Sequence, residues 1–224
     1  MCTALHKDNI MTLSTIFTPI RYLVSKLHLR MPFTYEELLE ELENEDWKPH
    51  GEVAPVGHNP WPGMRYKVLS PKWENQRLVA ISNYFRSNKF KRQAVDWMYD
   101  NYPGTDVAWG MDRDTMFRQS QTHIEFTRDM PGFVNDLHTD YRKLIATGMI
   151  YFSKEDNPDL SSYFYKTETR EDPVRMTTEF GDGWWHQNGN YTWHEGWNKT
   201  DQVRYSGLLG LTVYTADAPV WPGQ

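Results

Sequence analysis

Between residues 138 and 206 the chain carries His138-Thr139-Asp140, then His194, then Arg204-Tyr205-Ser206. Two imidazoles and one carboxylate can hold one face of a metal ion and leave the opposite face open, a ligand set that suits non-haem iron(II). An arginine with a serine two residues later suits the carboxylate of a small co-substrate, because the guanidinium grips both oxygens while the hydroxyl donates beside it. In extended chain, residues two apart share a face. His138 with Asp140, and Arg204 with Ser206, can therefore each act at one point.

His-x-Asp alone is a weak signal. His6-Lys7-Asp8 fits it too, and His50-Gly51-Glu52 and His123-Ile124-Glu125 fit the glutamate variant. Context separates them: His138 and Asp140 follow a turn and a strand-like segment and precede a long apolar strand. The third ligand must come from a distant strand, where His186 and His194 are the candidates. Only His194 has the Arg204–Ser206 pair ten residues downstream, which selects it and leaves His186 as a structural or cavity-wall residue. Arg204 opens a segment that otherwise reads GLLGLTV. If it points inward, its charge needs an anionic partner, since unpaired burial is costly, and a planar guanidinium offers a fork that lysine lacks.

The elements that must position these groups change character along the chain. The first hundred residues read mainly as helices and irregular connections. Thr34 with Glu37 reads as a capping box opening a helix through Leu42, and the turn signal His58-Asn59-Pro60-Trp61-Pro62-Gly63 follows in a long connection. A helix over 87–99 places Phe90, Ala94, Trp97 and Met98 on one face as core packing, closed by Asn101-Tyr102-Pro103-Gly104. Strands are expected over 122–126, over 133–140 after the turn Met130-Pro131-Gly132, and over 144–152, 162–167 and 204–214. Short strands at short intervals indicate a sandwich or barrel. The expected fold class is mainly β with flanking helices. Residues 1–224 form a single domain: 1–105 a helical and irregular support region, 106–224 the β core.

Composition agrees. Aromatic residues make up 15% of the 224 residues, with ten Trp and thirteen Tyr, which suits a strand-rich core and argues against disorder. A net charge of −6, from 30 acidic and 24 basic residues, argues against general nucleic-acid binding. The run Lys89-Phe90-Lys91-Arg92 reads as a solvated helix face. One cysteine, Cys2, excludes an internal disulfide. No apolar stretch reaches the ~20 residues needed to span a bilayer, and no signal-peptide core is evident. A soluble cytoplasmic protein is the expectation, which leaves the sequons at Asn190 and Asn198 without meaning.

Over roughly residues 120 to 214 the chain resembles the 2-oxoglutarate- and iron(II)-dependent dioxygenases, most closely their prolyl-hydroxylase-like branch. The Pro131-Gly132 turn before His138, the strand GMIYFS from Gly148, WHEG around His194 and the closing RYSGLLGLTV carry the resemblance. It implies a double-stranded β-helix, or jelly roll (cupin-like), with N-terminal helices packed on it. It implies Fe(II) on His138, Asp140 and His194, with 2-oxoglutarate bound to the iron and its C5 carboxylate on Arg204 and Ser206. It implies O2 as oxidant and hydroxylation of a small-molecule or peptide substrate, with succinate and CO2 released. Relatives often recruit a tyrosine to the co-substrate carboxylate; Tyr151 and Tyr165 are the positions available. Loops over 109–118 and 170–185 are expected to shape the pocket. Two other readings stay open. One is a carbohydrate-binding jelly roll with a zinc or non-catalytic site and the Trp pairs as a sugar platform. The other, a metal hydrolase, lacks a general base at a suitable spacing.

Overall fold

The computed structural model describes residues 13–20, 24–50, 61–140, 144–189 and 192–213. Among them an eight-stranded and a four-stranded antiparallel sheet face each other. The larger contains β1 (Ser14–Pro19), β2 (Val24–Arg30), β3 (Lys48–Pro49), β4 (Arg65–Val68), β5 (Ser120–Asp129), β7 (Leu144–Tyr151), β10 (Asp182–Gln187) and β12 (Arg204–Val213), in the order β1-β2-β10-β7-β12-β5-β4-β3. The smaller contains β6 (Val134–His138), β8 (Ser162–Tyr165), β9 (Val174–Arg175) and β11 (Trp193–Trp197), in the order β6-β11-β8-β9. From β5 onward the chain passes back and forth between the sheets. That winding is a double-stranded β-helix, as expected.

The central strands of the large sheet are buried on both faces, so they read as continuous apolar runs without alternation. Along β7, Ile145 and Ile150 join the core beneath the helices, while Met149 and Tyr151 pack between the sheets. Along β12, Tyr205, Leu209 and Leu211 join the helix-side core and Leu208 faces the smaller sheet. The sheet thus has one face for packing and one for the cavity.

Helices cover the packing face. In α1 (Tyr35–Glu43), Thr34 Oγ1 accepts from the Glu37 N–H and Glu37 reaches back to the Thr34 N–H, which completes the expected capping box. Then come α2 (Gln76–Phe85) and α3 (Asn88–Asn101), the latter capped by Ser87. The stripe of Phe90, Ala94, Trp97 and Met98 is buried, and the Phe90 ring meets Trp185 of β10 edge-on at 5.7 Å. The basic run lies on α3, where Lys91 and Arg92 cover the Phe117 ring and Arg92 pairs with Asp114 at 3.0 Å.

Three expectations need correction. Residues before 105 are not only helical and irregular: β1, β2 and β4 extend the large sheet, because Leu27 and Leu29 alternate with exposed residues as an edge-side strand must. Residues 109–118 do not shape the cavity. They lie in α4 (Thr105–Trp109) and α5 (Arg113–Gln119), whose Ala108, Trp109 and Met116 bury in the helix-side core. The end of the 170–185 segment is not loop but β10, a strand between β2 and β7. Cys2, the motif at His6, Glu52, His58 to Pro60, Asn190 and Tyr214 lie outside the described residues. Among the described residues no helix is long and apolar enough to cross a membrane.

Gly183 lets β10 approach β7: a Cβ there would collide with the Met149 carbonyl. Gly183→Ala is expected to cost about 3 kcal/mol through this overpacking, read as a lower midpoint in urea unfolding with an unchanged m-value.

Candidate metal centre

The site starts from one ladder contact. β6 and β11 pair antiparallel with His194 opposite His138, so both side chains leave the sheet toward the same interior and their rings lie 4.2 Å apart. Asp140 follows just beyond the end of β6 and turns its carboxylate to them. Its Oδ1 lies 3.5 Å from His138 Nε2 and 3.7 Å from His194 Nε2. The three ligand atoms fall within 4.8 Å of one another, and this is the one such group of ligating side chains among the described residues. His123 and Glu125 share a face of β5 but belong to no such group among the described residues.

The proton positions favour a cation at the centre. His138 Nδ1–H donates to the Asp136 carbonyl at 2.6 Å, and His194 Nδ1–H donates to the Thr192 carbonyl at 2.9 Å. Each ring so held points its Nε2 inward. Burial pulls the His194 imidazole down to about 3, so it is neutral at physiological pH, as a metal ligand must be. Burial opposes charge on His138 as well, but the hydrogen bond and charge of Asp140 outweigh it and raise that imidazole. Burial would raise Asp140. The imidazoles of His194, His138 and His186 packed against it instead hold it well below the usual carboxylate range. The neutral His194 imidazole and the anionic Asp140 carboxylate thus converge, and a bound metal ion would take the place of the proton that Asp140 favours on His138. A divalent ion with ligands at about 2.1 Å spaces adjacent donors about 3 Å apart, so Asp140 at 3.5 and 3.7 Å from the two imidazoles needs only a small contraction. The residues fit the metal.

His186 stands beside this group in another role. Its ring lies between two acceptors, Asp140 Oδ2 at 3.0 Å from Nε2 and the Gln187 carbonyl at 3.1 Å from Nδ1, and with its proton on Nε2 it donates to Asp140. The ring is fully buried, stacked on Trp184 at 5.4 Å and edge-on to Phe164 at 5.6 Å. Trp184 and Trp185 are buried too, so this Trp pair is wall and core, not a sugar platform. Tyr151 donates to Ser162 Oγ at 2.7 Å and accepts from the Trp184 indole at 3.2 Å. Tyr165 donates to Glu195 Oε1 at 2.5 Å.

The same cavity, about 400 Å³, is lined by His138, Asp140 and His194 and also by Arg65, Lys67 and Arg204. Arg204 is buried as expected, and the anion it requires is already present in the protein. Its Nε and Nη2 donate to Asp129 Oδ2 at 3.1 and 2.6 Å, and its Nη1 donates to the Leu160 and Trp197 carbonyls. Arg65 of β4 takes the same carboxylate from the other side, at 2.6 Å to Oδ1 and 2.9 Å to Oδ2. Two guanidinium groups thus share one carboxylate, with Arg65 lying 4.2 Å over the Phe133 ring. Lys67 is paired with Glu125. Ser206 shares the inward face of β12 with Arg204 but bonds its hydroxyl to Thr127 at 2.6 Å and does not line the cavity. Asp129 and Arg65 carry no sequence motif and stand 75 and 139 residues before Arg204; an acid ending one strand and a cation opening another were the only signals.

Solved structures give the fold a context. AviO1 from Streptomyces viridochromogenes Tue57 superposes with a TM-score of 0.53 at 12% identity, over 89% of this chain and 92% of that one. A prolyl 4-hydroxylase from Phytophthora capsici superposes with a TM-score of 0.50 at 14% identity, over 83% of this chain and 56% of that one. The chain has the prolyl-hydroxylase fold. No family model and no curated protein sequence matches the chain.

Asp129→Asn is expected to destabilise the protein by about 3–5 kcal/mol, because two buried guanidinium groups lose their counter-charge. Burial would raise the Asp129 carboxyl, but Arg65 and Arg204 hold it below its ordinary value. Its contribution is therefore complete above about pH 3.9 and is lost as pH falls through the lower folded value. Unfolding free energy measured across that range should show this loss in the parent and not in the Asn variant.

Proposed function

We propose that the protein is a 2-oxoglutarate-dependent iron(II) oxygenase that hydroxylates a small-molecule or peptide substrate. The observation that carries this is the charge balance of one cavity. At its metal end, a divalent ion with Asp140 leaves one positive charge, since both imidazole ligands are neutral when bound. In the Arg65–Asp129–Arg204 cluster, Asp129 cancels one of two guanidinium charges and leaves another. Lys67 is neutralised by Glu125, and Glu195 by Arg170 at 2.8 Å. The two remaining positive charges suit a co-substrate with two carboxylates, and an uncompensated buried cation disfavours an empty or apolar occupant.

His138, Asp140 and His194 would hold the iron. When bound, iron(II) with 2-oxoglutarate supplies the activation of dioxygen that couples loss of CO2 to hydroxylation, leaving succinate. The chain's own residues do the rest. The Nδ1 donations to backbone carbonyls aim both imidazoles. Arg204, beside the Ser206–Thr127 hydroxyl pair, receives the C5 carboxylate, with Arg65 adding positive charge from β4. Asp129 and the Leu160 and Trp197 carbonyls hold the Arg204 guanidinium in place, so little ordering is left to occur on binding. Trp184, Met149 and Leu208 line the cavity wall and exclude water.

Asp140→Ala is expected to abolish succinate production from 2-oxoglutarate in the iron-loaded protein, and undiminished succinate would defeat the proposal. Arg204→Lys keeps the charge but loses the planar guanidinium that Asp129 and the Leu160 and Trp197 carbonyls hold in place. Its KM for 2-oxoglutarate should rise at least tenfold with a smaller change in kcat, measured by steady-state succinate release.

A further inference from the structure

We infer that His186 is a positioning residue for the metal centre. By donating Nε2–H to the outer oxygen of Asp140, it presents Oδ1 alone to the ion. The inference rests on the metal-site reading above. Asp140 lies past the last residue of β6, so the ladder that fixes His138 and His194 does not fix its side chain. His186 does. Its bond to Oδ2 is 3.0 Å, whereas Oδ1 faces the two ligand imidazoles at 3.5 and 3.7 Å. The carboxylate is thus divided, one oxygen for each task.

The donor itself has little freedom. His186 is fully buried in β10, paired with Thr147 of β7 and Val24 of β2, and its ring is clamped by Trp184 and Phe164. A carboxylate without such a partner can swing and bind a cation through both oxygens. That mode would occupy one of the positions a co-substrate and dioxygen need. A hydrogen-bonded Oδ2 keeps the ligation single and the open face open. The requirement for an Nε2–H also explains why His186, 5.1 Å from His194 ring to ring, is not itself a ligand through that nitrogen.

The test uses the full chain with cobalt(II), titrated without co-substrate and followed by visible absorption. His186→Phe keeps the ring packing and removes the donor. Its Kd for cobalt(II) should rise ten- to a hundredfold, the range for outer-shell partners of metal ligands, with a changed d–d spectrum. His186→Gln retains an N–H and should bind within a few-fold of the parent with the parent spectrum. Parent-like affinity and spectrum in the Phe variant would overturn the inference. So would equal loss in both variants, provided thermal unfolding of the metal-free proteins is unchanged. If the Phe variant does not fold, the Gln variant alone decides: retained binding supports the inference and lost binding in a folded protein overturns it. A parent protein that binds no cobalt(II) would instead overturn the metal-centre reading.

Discussion

Pairing β6 with β11 in the register that sets His194 opposite His138 constrains the rest of the interior. Side chains along a strand alternate, so a slip of one residue would send either imidazole to the outer face of the small sheet. Held in register, the two rings point inward with their Nδ1 protons given to backbone carbonyls. What they turn to the cavity is Nε2. A carboxylate placed against them adds more negative potential, and the arrangement is satisfied by a cation. Neighbouring features follow from that need: burial that keeps His194 neutral, and a carboxylate whose two oxygens face different partners.

Charge elsewhere in the cavity is handled in the opposite sense. Arg65, Asp129 and Arg204 are all buried, at 4%, 0% and 2% exposure, where a single unpaired charge would cost several kcal/mol. Asp129 meets both guanidinium groups, and the carbonyls of Leu160 and Trp197 take the Nη1 protons of Arg204. Those bonds tie β4, β5, β11 and β12 together at one point. The cluster keeps a net positive charge beside the cavity, which couples a structural device to the choice of an anionic occupant.

The helices make this interior affordable in terms of stability. Phe85, Phe90, Val95 and Met98 bury against the outer face of the large sheet together with Ile150, Trp185 and Leu209. Apolar burial there supplies the stabilisation that the polar interior does not, at roughly 25 cal/mol per Å². The division explains why β7, β10 and β12 show no clean alternation. Both faces are buried, one against hydrocarbon and the other against the chemistry.

Local signals in the sequence determined the strands over 122–126 and 144–152, the helix over 87–99, the capping box at Thr34 and a sandwich or barrel as the class of the β core. Each depends on residues within a few positions of one another, where turn chemistry and periodicity act. The sequence also brought forward His138, Asp140, His194 and Arg204 as residues able to do chemistry, because their spacing along strands is itself local. Tertiary structure alone decided what those residues touch. It assigned Asp129 to Arg204 across 75 positions, brought Arg65 from a strand invisible among irregular residues, and turned His186 to Asp140 across 46. Such pairings depend on sheet order and register, which bring distant segments together without leaving any pattern in the segments themselves.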